Sequence, residues 1–325
     1  MRDQWQREIN YLRVSVTDRC NLRCRYCMPE EGVVWKRHEE IMSYEEIAHL
    51  VTLFSGAGIR KVRLTGGEPL TRRDLPRLVA MLKEIEAIDD ISLTTNGVLL
   101  PQLGRELKAA GLNRVNISLD TLRREKYRQL CGRDELPRVL AAIDEALNLE
   151  LHPVKLNSVI IAGVNEDEIE DLAALTLDRP LHLRYIELMP MKRRGEKAGE
   201  GVTSGEIRRR LEEKYGPLIP AGPPHGQGPA KYFRLSGACG TVGFIEPISD
   251  HFCPSCNRLR LTADGRLRPC LVAEMEIDVL TPLRQGAREE EILALYHRAL
   301  QVKPMSHGMN GKWDPGGRSM HQIGG

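Results

Sequence analysis

Six of the chain's eight cysteines fall into two groups of three, and their spacing is the first sign of chemistry. Cys20, Cys24 and Cys27 stand at C-x3-C-x2-C spacing, and Cys253, Cys256 and Cys270 at C-x2-C-x13-C. Three thiolates this close can converge on one soft metal centre. A closed structural zinc site takes four ligands, and so does a [4Fe–4S] cluster unless one iron is left open. The missing fourth ligand is therefore the informative feature. In the second group His251 stands near enough to complete a set, and on its own that group reads more readily as zinc. Cys131 and Cys239 stand apart and read as buried or tolerated thiols. Two tight groups fit metal binding in a reducing compartment better than a disulfide framework.

Between Cys256 and Cys270 lies Asn257-Arg258-Leu259-Arg260-Leu261, where alternation along an extended segment puts Arg258 and Arg260 on one face. Lys61 and Arg63 share a strand face by the same reasoning. Arg13, Lys155 and Arg184 sit in other strand-like runs and could extend the set. Strands of a parallel barrel normally turn Val, Ile and Leu inward, so repeated cations need a reason. Polyphosphate is one, because Arg binds phosphate bidentately and Lys adds a point charge. No G-x-x-x-x-G-K-[ST] run occurs, so a nucleotide here would not be held by a P-loop.

The elements that must place these residues alternate. Strand-like runs at 12–17, 61–65, 91–95, 115–120, 154–161 and 183–188 are separated by helical patterns, one of them opened by a Ser43/Glu46 capping box. Six β-α repeats indicate a parallel sheet, two units short of a closed barrel. A helix over 203–215 is followed by the Gly- and Pro-rich segment 222–229, where the domain boundary is expected. The 325-residue length also suggests two domains. A net charge of +2 gives no bulk electrostatic case for nucleic acid or membrane binding. No apolar run approaches the roughly 20 residues that span a bilayer, and a cytoplasmic location follows as an expectation.

The Cys20–Cys27 spacing, with Tyr26 before its third cysteine, resembles the radical S-adenosylmethionine (SAM) superfamily. The resemblance implies an α/β fold, a partial (β/α)6 radical-SAM barrel with a C-terminal iron–sulfur extension. It also implies a first [4Fe–4S] cluster whose open iron takes SAM, and reductive SAM cleavage to a 5′-deoxyadenosyl radical. Gly67, in the run Gly66-Gly67-Glu68-Pro69, matches the position that holds the SAM amino group, Ser118 a SAM contact and Met189 a residue beside adenine. Beside such a site the second triad reads as another [4Fe–4S] cluster with an open iron.

Both triads, the Arg-x-Arg between Cys256 and Cys270, and the ending Gly324-Gly325 together resemble the GTP 3′,8-cyclase family of molybdenum cofactor biosynthesis. That resemblance implies radical SAM lyase chemistry, in which the ribose 3′ carbon of GTP is joined to C8 of guanine. Cys20, Cys24, Cys27, Arg258 and Arg260 would be catalytic. GTP would meet Arg13, Lys61, Arg63, Thr94, Lys155, Arg184, Arg258, Arg260, Gly324 and Gly325, with guanine at the second cluster. Residues 4–221 would form the radical SAM core, and 222–325 the auxiliary-cluster and substrate-binding region. The resemblance further implies an external electron donor and hand-off to cyclic pyranopterin monophosphate synthase, with a homodimer as the assembly to test.

Two other readings stay open at this level. A radical SAM enzyme acting on a peptide or RNA would use the second cluster as an electron relay, with a fourth ligand at His251 or Cys239. A non-catalytic zinc-binding interaction protein would carry zinc without iron or sulfide. The segments 192–201 and 222–229 carry no legible role.

Overall fold

The computed structural model describes residues 1–28, 33–189, 200–225, 228–308 and 318–324. Its spine is one twelve-stranded sheet. The strands in chain order are β1 (Tyr11–Ser15), β2 (Lys61–Thr65), β3 (Asp90–Thr95), β4 (Arg114–Ser118), β5 (Val154–Val159) and β6 (Leu181–Ile186). They are followed by β7 (Ile219–Ala221), β8 (Lys231–Arg234), β9 (Thr241–Ile245), β10 (Arg258–Leu261), β11 (Arg266–Arg268) and β12 (Ile277–Asp278). β1 to β6 pair in sequence and in parallel. This is the six-stranded partial barrel that the β-α alternation indicates.

The C-terminal region does not hang off that barrel; it extends the same sheet at both edges. β10 pairs in parallel with β1, and β9 in parallel with β6. Antiparallel strands then finish each side, β11 and β12 beyond β10, and β8 and β7 beyond β9. Periodicity could not show this, because pairing between strands some 250 residues apart leaves no local mark. The Gly- and Pro-rich segment joins β7 to β8, which pair as a hairpin.

Alternation within each strand separates two environments. On β1 and β2, Leu12, Val14, Val62 and Leu64 are fully buried in the core packed by the helices, while Arg13, Ser15, Arg63 and Thr65 take the opposite face. The outer layer starts as the sequence indicates. Ser43 accepts from Glu46 N (3.1 Å) and Glu46 Oε2 accepts from Ser43 N (2.6 Å), closing the capping box of helix Tyr44–Gly56. That helix stacks Phe54 on Tyr296 of helix Glu289–Gln301, ring centroids 4.7 Å apart, and so ties the chain's two ends together. Among the described residues, no helix is long and apolar enough to cross a membrane.

One ion pair lies inside this frame. Arg114 Nε donates to Asp90 Oδ1 at 2.9 Å, and Nη2 contacts the other oxygen, both residues being buried. Breaking such a pair leaves a charge in the interior without compensation. Asp90→Ala is therefore expected to lower unfolding free energy by about 3–5 kcal/mol, read by anaerobic urea unfolding. A loss below about 1 kcal/mol would class the pair with surface ion pairs instead.

Candidate active site

The first triad sits in the loop leaving β1. Cys27 N and Met28 N both donate to Cys24 O, at 2.9 and 3.0 Å, and fold the loop into a tight turn. Arg23 N and Arg25 N donate to Cys131 O and Leu130 O, at 2.9 and 3.0 Å, which staples the loop to the end of helix Arg124–Cys131. Tyr26 is fixed by its hydroxyl, which donates to Asp120 Oδ2 at 2.6 Å, while Asp120 Oδ1 accepts from Val159 N at 2.9 Å. Burial pushes the Cys20 thiol up to about 12 and raises Cys24 and Cys27 as well. For Cys24 the larger cause is its hydrogen bond with Cys131.

The glycines after β2 have a different first purpose from the one the sequence indicates. A Cβ on Gly67 would lie 2.3 Å from Arg19 O and 2.7 Å from Asp18 O. The close approach is thus to the cluster loop's own backbone, sealed by Gly67 N donating to Thr17 O (2.9 Å) and Glu68 N to Arg19 O (2.7 Å). The Glu68 side chain then accepts from Leu70 N, Thr95 Oγ1 and Asn96 N at 3.0, 2.7 and 2.6 Å, locking the ends of β2 and β3 together. Burial lifts this carboxyl to about 7 against the pull of those bonds.

The second triad is arranged around cations. Cys253 lies in the short turn Cys253–Ser255, and its carbonyl accepts from Arg7 at 2.8 Å. Lys303 Nζ lies 3.6 Å from Cys256 Sγ and donates to Arg258 O and Pro269 O at 2.8 and 2.7 Å. Burial pushes Cys256 up, but Arg258 and Lys303 outweigh it and bring the thiol down to about 6.

Both triads open onto one cavity of about 860 Å³, lined by Cys20, Cys24, Cys27, Cys253, Cys256 and Cys270 together. All six are free thiols. Among the described residues, no group of three or more His, Cys, Asp and Glu is placed to hold a single metal ion. The donor set on the walls, three thiols per triad facing a large common space, fits two site-differentiated [4Fe–4S] clusters. The cavity wall includes neither His251 nor Cys239. His251 packs edge-on against the His307 ring, and Cys239 is exposed in the turn before β9, with its N–H bonded to Leu177 O. Neither completes the second triad.

The basic set converges on the same space. Arg63, Arg13 and Arg260 lie side by side in register across β2, β1 and β10. Arg184, Lys155 and Arg258 also line the cavity, as do Thr94, Tyr26, Gly67, Ser118 and Met189. Lys61 does not. It stands half-buried at the N-terminal end of β2, two residues below Arg63, roughly 6–7 Å away along the strand. Alternation gave its face correctly but not its depth. Among the described residues, Arg63, Lys155, Arg184 and Arg260 have no carboxylate in an ion pair, although each is less than a tenth exposed. Burial and mutual repulsion bring Arg63 down to about 10, Arg260 to about 9 and Lys155 to about 6.

The tail enters this cavity rather than trailing from the surface. Arg318 pairs with Asp264 and Glu276, and Ser319 caps the single turn Met320–Ile323. Met320 and His321 line the cavity. Arg260 Nη1 donates to Gly324 O at 2.5 Å. Gly324 has φ +80°, and a Cβ there would lie 2.8 Å from Thr65 Cγ2, so both backbone and space call for glycine. Gly325 and residues 192–199 lie outside the described residues. Sequence reasoning missed Glu68, Asp120, His321 and Lys303. Only Glu68 carried a signal, its place beside the two glycines.

A parallel partial barrel with an uncapped cysteine triad at the C-terminal strand ends defines a radical SAM protein. Residues 14–176 match the model of the radical SAM superfamily, and 181–309 that of Molybdenum Cofactor Synthesis C. The fold is similar to that of Streptococcus suis SuiB bound to S-adenosylmethionine, with a TM-score of 0.58 at 14% identity, covering 82% of this chain and 61% of that one. Along its whole length the chain is 54% identical to the GTP 3′,8-cyclase of Pelotomaculum thermopropionicum and 52% to that of Moorella thermoacetica, each covered completely. The chain belongs to the GTP 3′,8-cyclase family.

Because a Cβ on Gly67 meets backbone and not a flexible side chain, the cluster loop must move to admit it. Gly67→Ala is expected to lose the same share of iron as Cys24→Ala and to stop binding SAM, measured by iron analysis and equilibrium dialysis. Full iron and normal SAM binding would show that the approach can relax.

Proposed function

We propose that this chain converts GTP to (8S)-3′,8-cyclo-7,8-dihydroguanosine 5′-triphosphate, the first step of molybdenum cofactor biosynthesis. The observation that carries this reading is the shared cavity, lined by two uncapped thiol triads together with a set of buried cations. Cys20, Cys24 and Cys27 would hold one [4Fe–4S] cluster and Cys253, Cys256 and Cys270 the other. With SAM bound, the first cluster supplies a one-electron route to the radical that takes the ribose 3′ hydrogen.

The chain's own residues do the positioning. Gly67, Ser118, Met189 and Tyr26 border the place for SAM, with Tyr26 held by Asp120. Arg13, Arg63, Lys155, Arg184, Arg258 and Arg260 form the cradle for the triphosphate, and Thr94 stands at its edge. A polyanion there would relieve the repulsion that these cations exert on one another. Pro223, Gly228 and Pro229 line the same cavity, and the His225 carbonyl accepts from Lys155 at 3.0 Å, which gives these four residues a role as a cover. Gly324 orients Arg260 and fills the barrel mouth. Closure of this kind keeps water from a carbon radical and fixes the distance between ribose and SAM.

The same reading brings an external electron donor, a cytoplasmic setting, hand-off to cyclic pyranopterin monophosphate synthase and a homodimeric assembly. An anaerobic assay with SAM, dithionite and each nucleoside triphosphate tests the activity. GTP alone should give 5′-deoxyadenosine together with a cyclised nucleotide. Cys24→Ala should abolish both products, and Cys256→Ala the cyclised one. Normal cyclisation by Cys256→Ala would remove the second triad from the reaction.

Lys155 makes a further prediction. Burial first, then Arg184, Arg114 and Arg63, lower it to about 6, against a smaller upward pull from Asp90 and with His182 beside it in register. A triphosphate stabilises the charged form and raises that value. Between the two values the free protein is neutral at Lys155 and the complex is charged. Binding then takes up to about one proton, and affinity falls as pH rises above 6. Calorimetry in buffers of different ionisation heat should show this uptake, and Lys155→Arg, which stays charged, should lack it. Equal uptake by the two proteins would assign the proton to the nucleotide.

A further inference from the structure

Lys303 is the cation that the reaction leaves unexplained. It is 2% exposed, although lysine is almost never fully buried without a partner. Its three N–H donors are all directed to the second triad: to Cys256 Sγ, to the carbonyl of Arg258 just after it, and to the carbonyl of Pro269 just before Cys270. No carboxylate forms an ion pair with it among the described residues. The lysine thus spans both ligand loops, with the Cys256 sulfur as its one anionic contact.

The segment that carries Lys303 is held from the other end of the chain. Gln4 Nε2 and Trp5 Nε1 both donate to Lys303 O, at 3.0 and 2.9 Å. Arg7, paired with buried Asp3, donates to Pro304 O and Met305 O at 2.8 and 3.1 Å and also to Cys253 O. The residues ahead of β1 belong to no strand or helix, and they converge on this bracket. Through it all three cysteines of the second triad are tied, two by Lys303 and one by Arg7. In the first triad's loop the corresponding cation, Arg23, is exposed and donates to the Cys20 and Leu22 carbonyls at 2.7 and 2.8 Å rather than to a sulfur, so the bracket distinguishes one site from the other.

We propose that Lys303 is a positioning residue of the second cluster, its ammonium holding the Cys256 and Cys270 loops together and raising the reduction potential of that cluster alone. Reduction adds negative charge to a cluster, and a donor fixed on a ligand sulfur stabilises the reduced form; hydrogen bonds to sulfur and net charge are the established levers on such potentials. The inference rests on the reading of the second triad as a [4Fe–4S] site.

Redox titration of anaerobic Lys303→Met and Lys303→Arg, followed by electron paramagnetic resonance, tests it, with SAM and GTP added to tell the two cluster signals apart. Lys303→Met should move the second cluster to a more negative potential and leave the first unchanged, and Lys303→Arg should restore part of the shift. Loss of second-cluster iron in Lys303→Met but not in Lys303→Arg equally supports the bracket. An unchanged potential in both variants overturns the proposal, as does loss of iron in both, since charge would then not be what matters. A wild-type protein with only one cluster's worth of iron would instead overturn the reading of the second triad.

Discussion

The rest of the structure is arranged around cations packed into a barrel interior without, among the described residues, carboxylates paired to neutralise them. Arg63, Lys155, Arg184 and Arg260 are nearly inaccessible to water, and each pushes on its neighbours. Burying an ion costs several kcal/mol even after relaxation. A chain meets that cost only where the surrounding fold is strong enough to hold the groups in place. Here the outer faces of the same strands supply that strength, through Leu12, Val14, Val62, Leu64, Ile91 and Leu93 packed fully into the helical layer. One strand therefore does two opposed jobs, apolar outward and cationic inward. Arg114, which lines the same cavity, differs from them in being paired, with Asp90.

How the two ends of the chain are used follows from the same geometry. β10 lies beside β1, so Arg260 extends the row begun by Arg63 and Arg13. β9 lies beside β6 and continues the wall that carries Arg184. A six-stranded barrel alone would leave both edges open at the level of the cavity. The C-terminal region covers the edges and brings in the second triad in the same movement, and the last turn of chain then fills the mouth. The site is completed by residues that are distant in sequence but neighbours in one sheet.

Much of this was legible in advance, and the limits have physical causes. The cysteine spacings, the β-α alternation and the Ser43 cap are local patterns, and local patterns survive in sequence. The faces of Arg13, Arg63, Arg258 and Arg260 followed from a period of two. Depth along a strand has no such period, which is why Lys61 read like Arg63 yet stands below the cavity. Gly67 was found, but the reason offered was ligand approach, whereas the nearest groups are Arg19 O and Asp18 O. The segment 222–229 read as a domain boundary because of its Pro and Gly, yet Pro223, Gly228 and Pro229 line the cavity. Lys303 was invisible: it is a lysine just past a helix end, and only the folded chain shows that its neighbours are Cys256, Arg258 and Pro269.

Two triads of the same ligand type thus meet one cavity from different surroundings. Around the first, all three thiols are raised, Cys20 and Cys27 mainly by burial and Cys24 mainly by its hydrogen bond with Cys131. Around the second, Arg258 and Lys303 overcome burial at Cys256. A cluster beside cations holds negative charge more easily, and the same cations attract an anionic substrate. The second triad and the buried cations therefore share a field as well as a wall. Arg258 makes the link concrete, since its guanidinium lies over the Phe252 ring, 4.8 Å away, while its carbonyl is held by Lys303. Arg258 thus stands between the second triad and the row of buried cations, held on one side by Phe252 and on the other by Lys303.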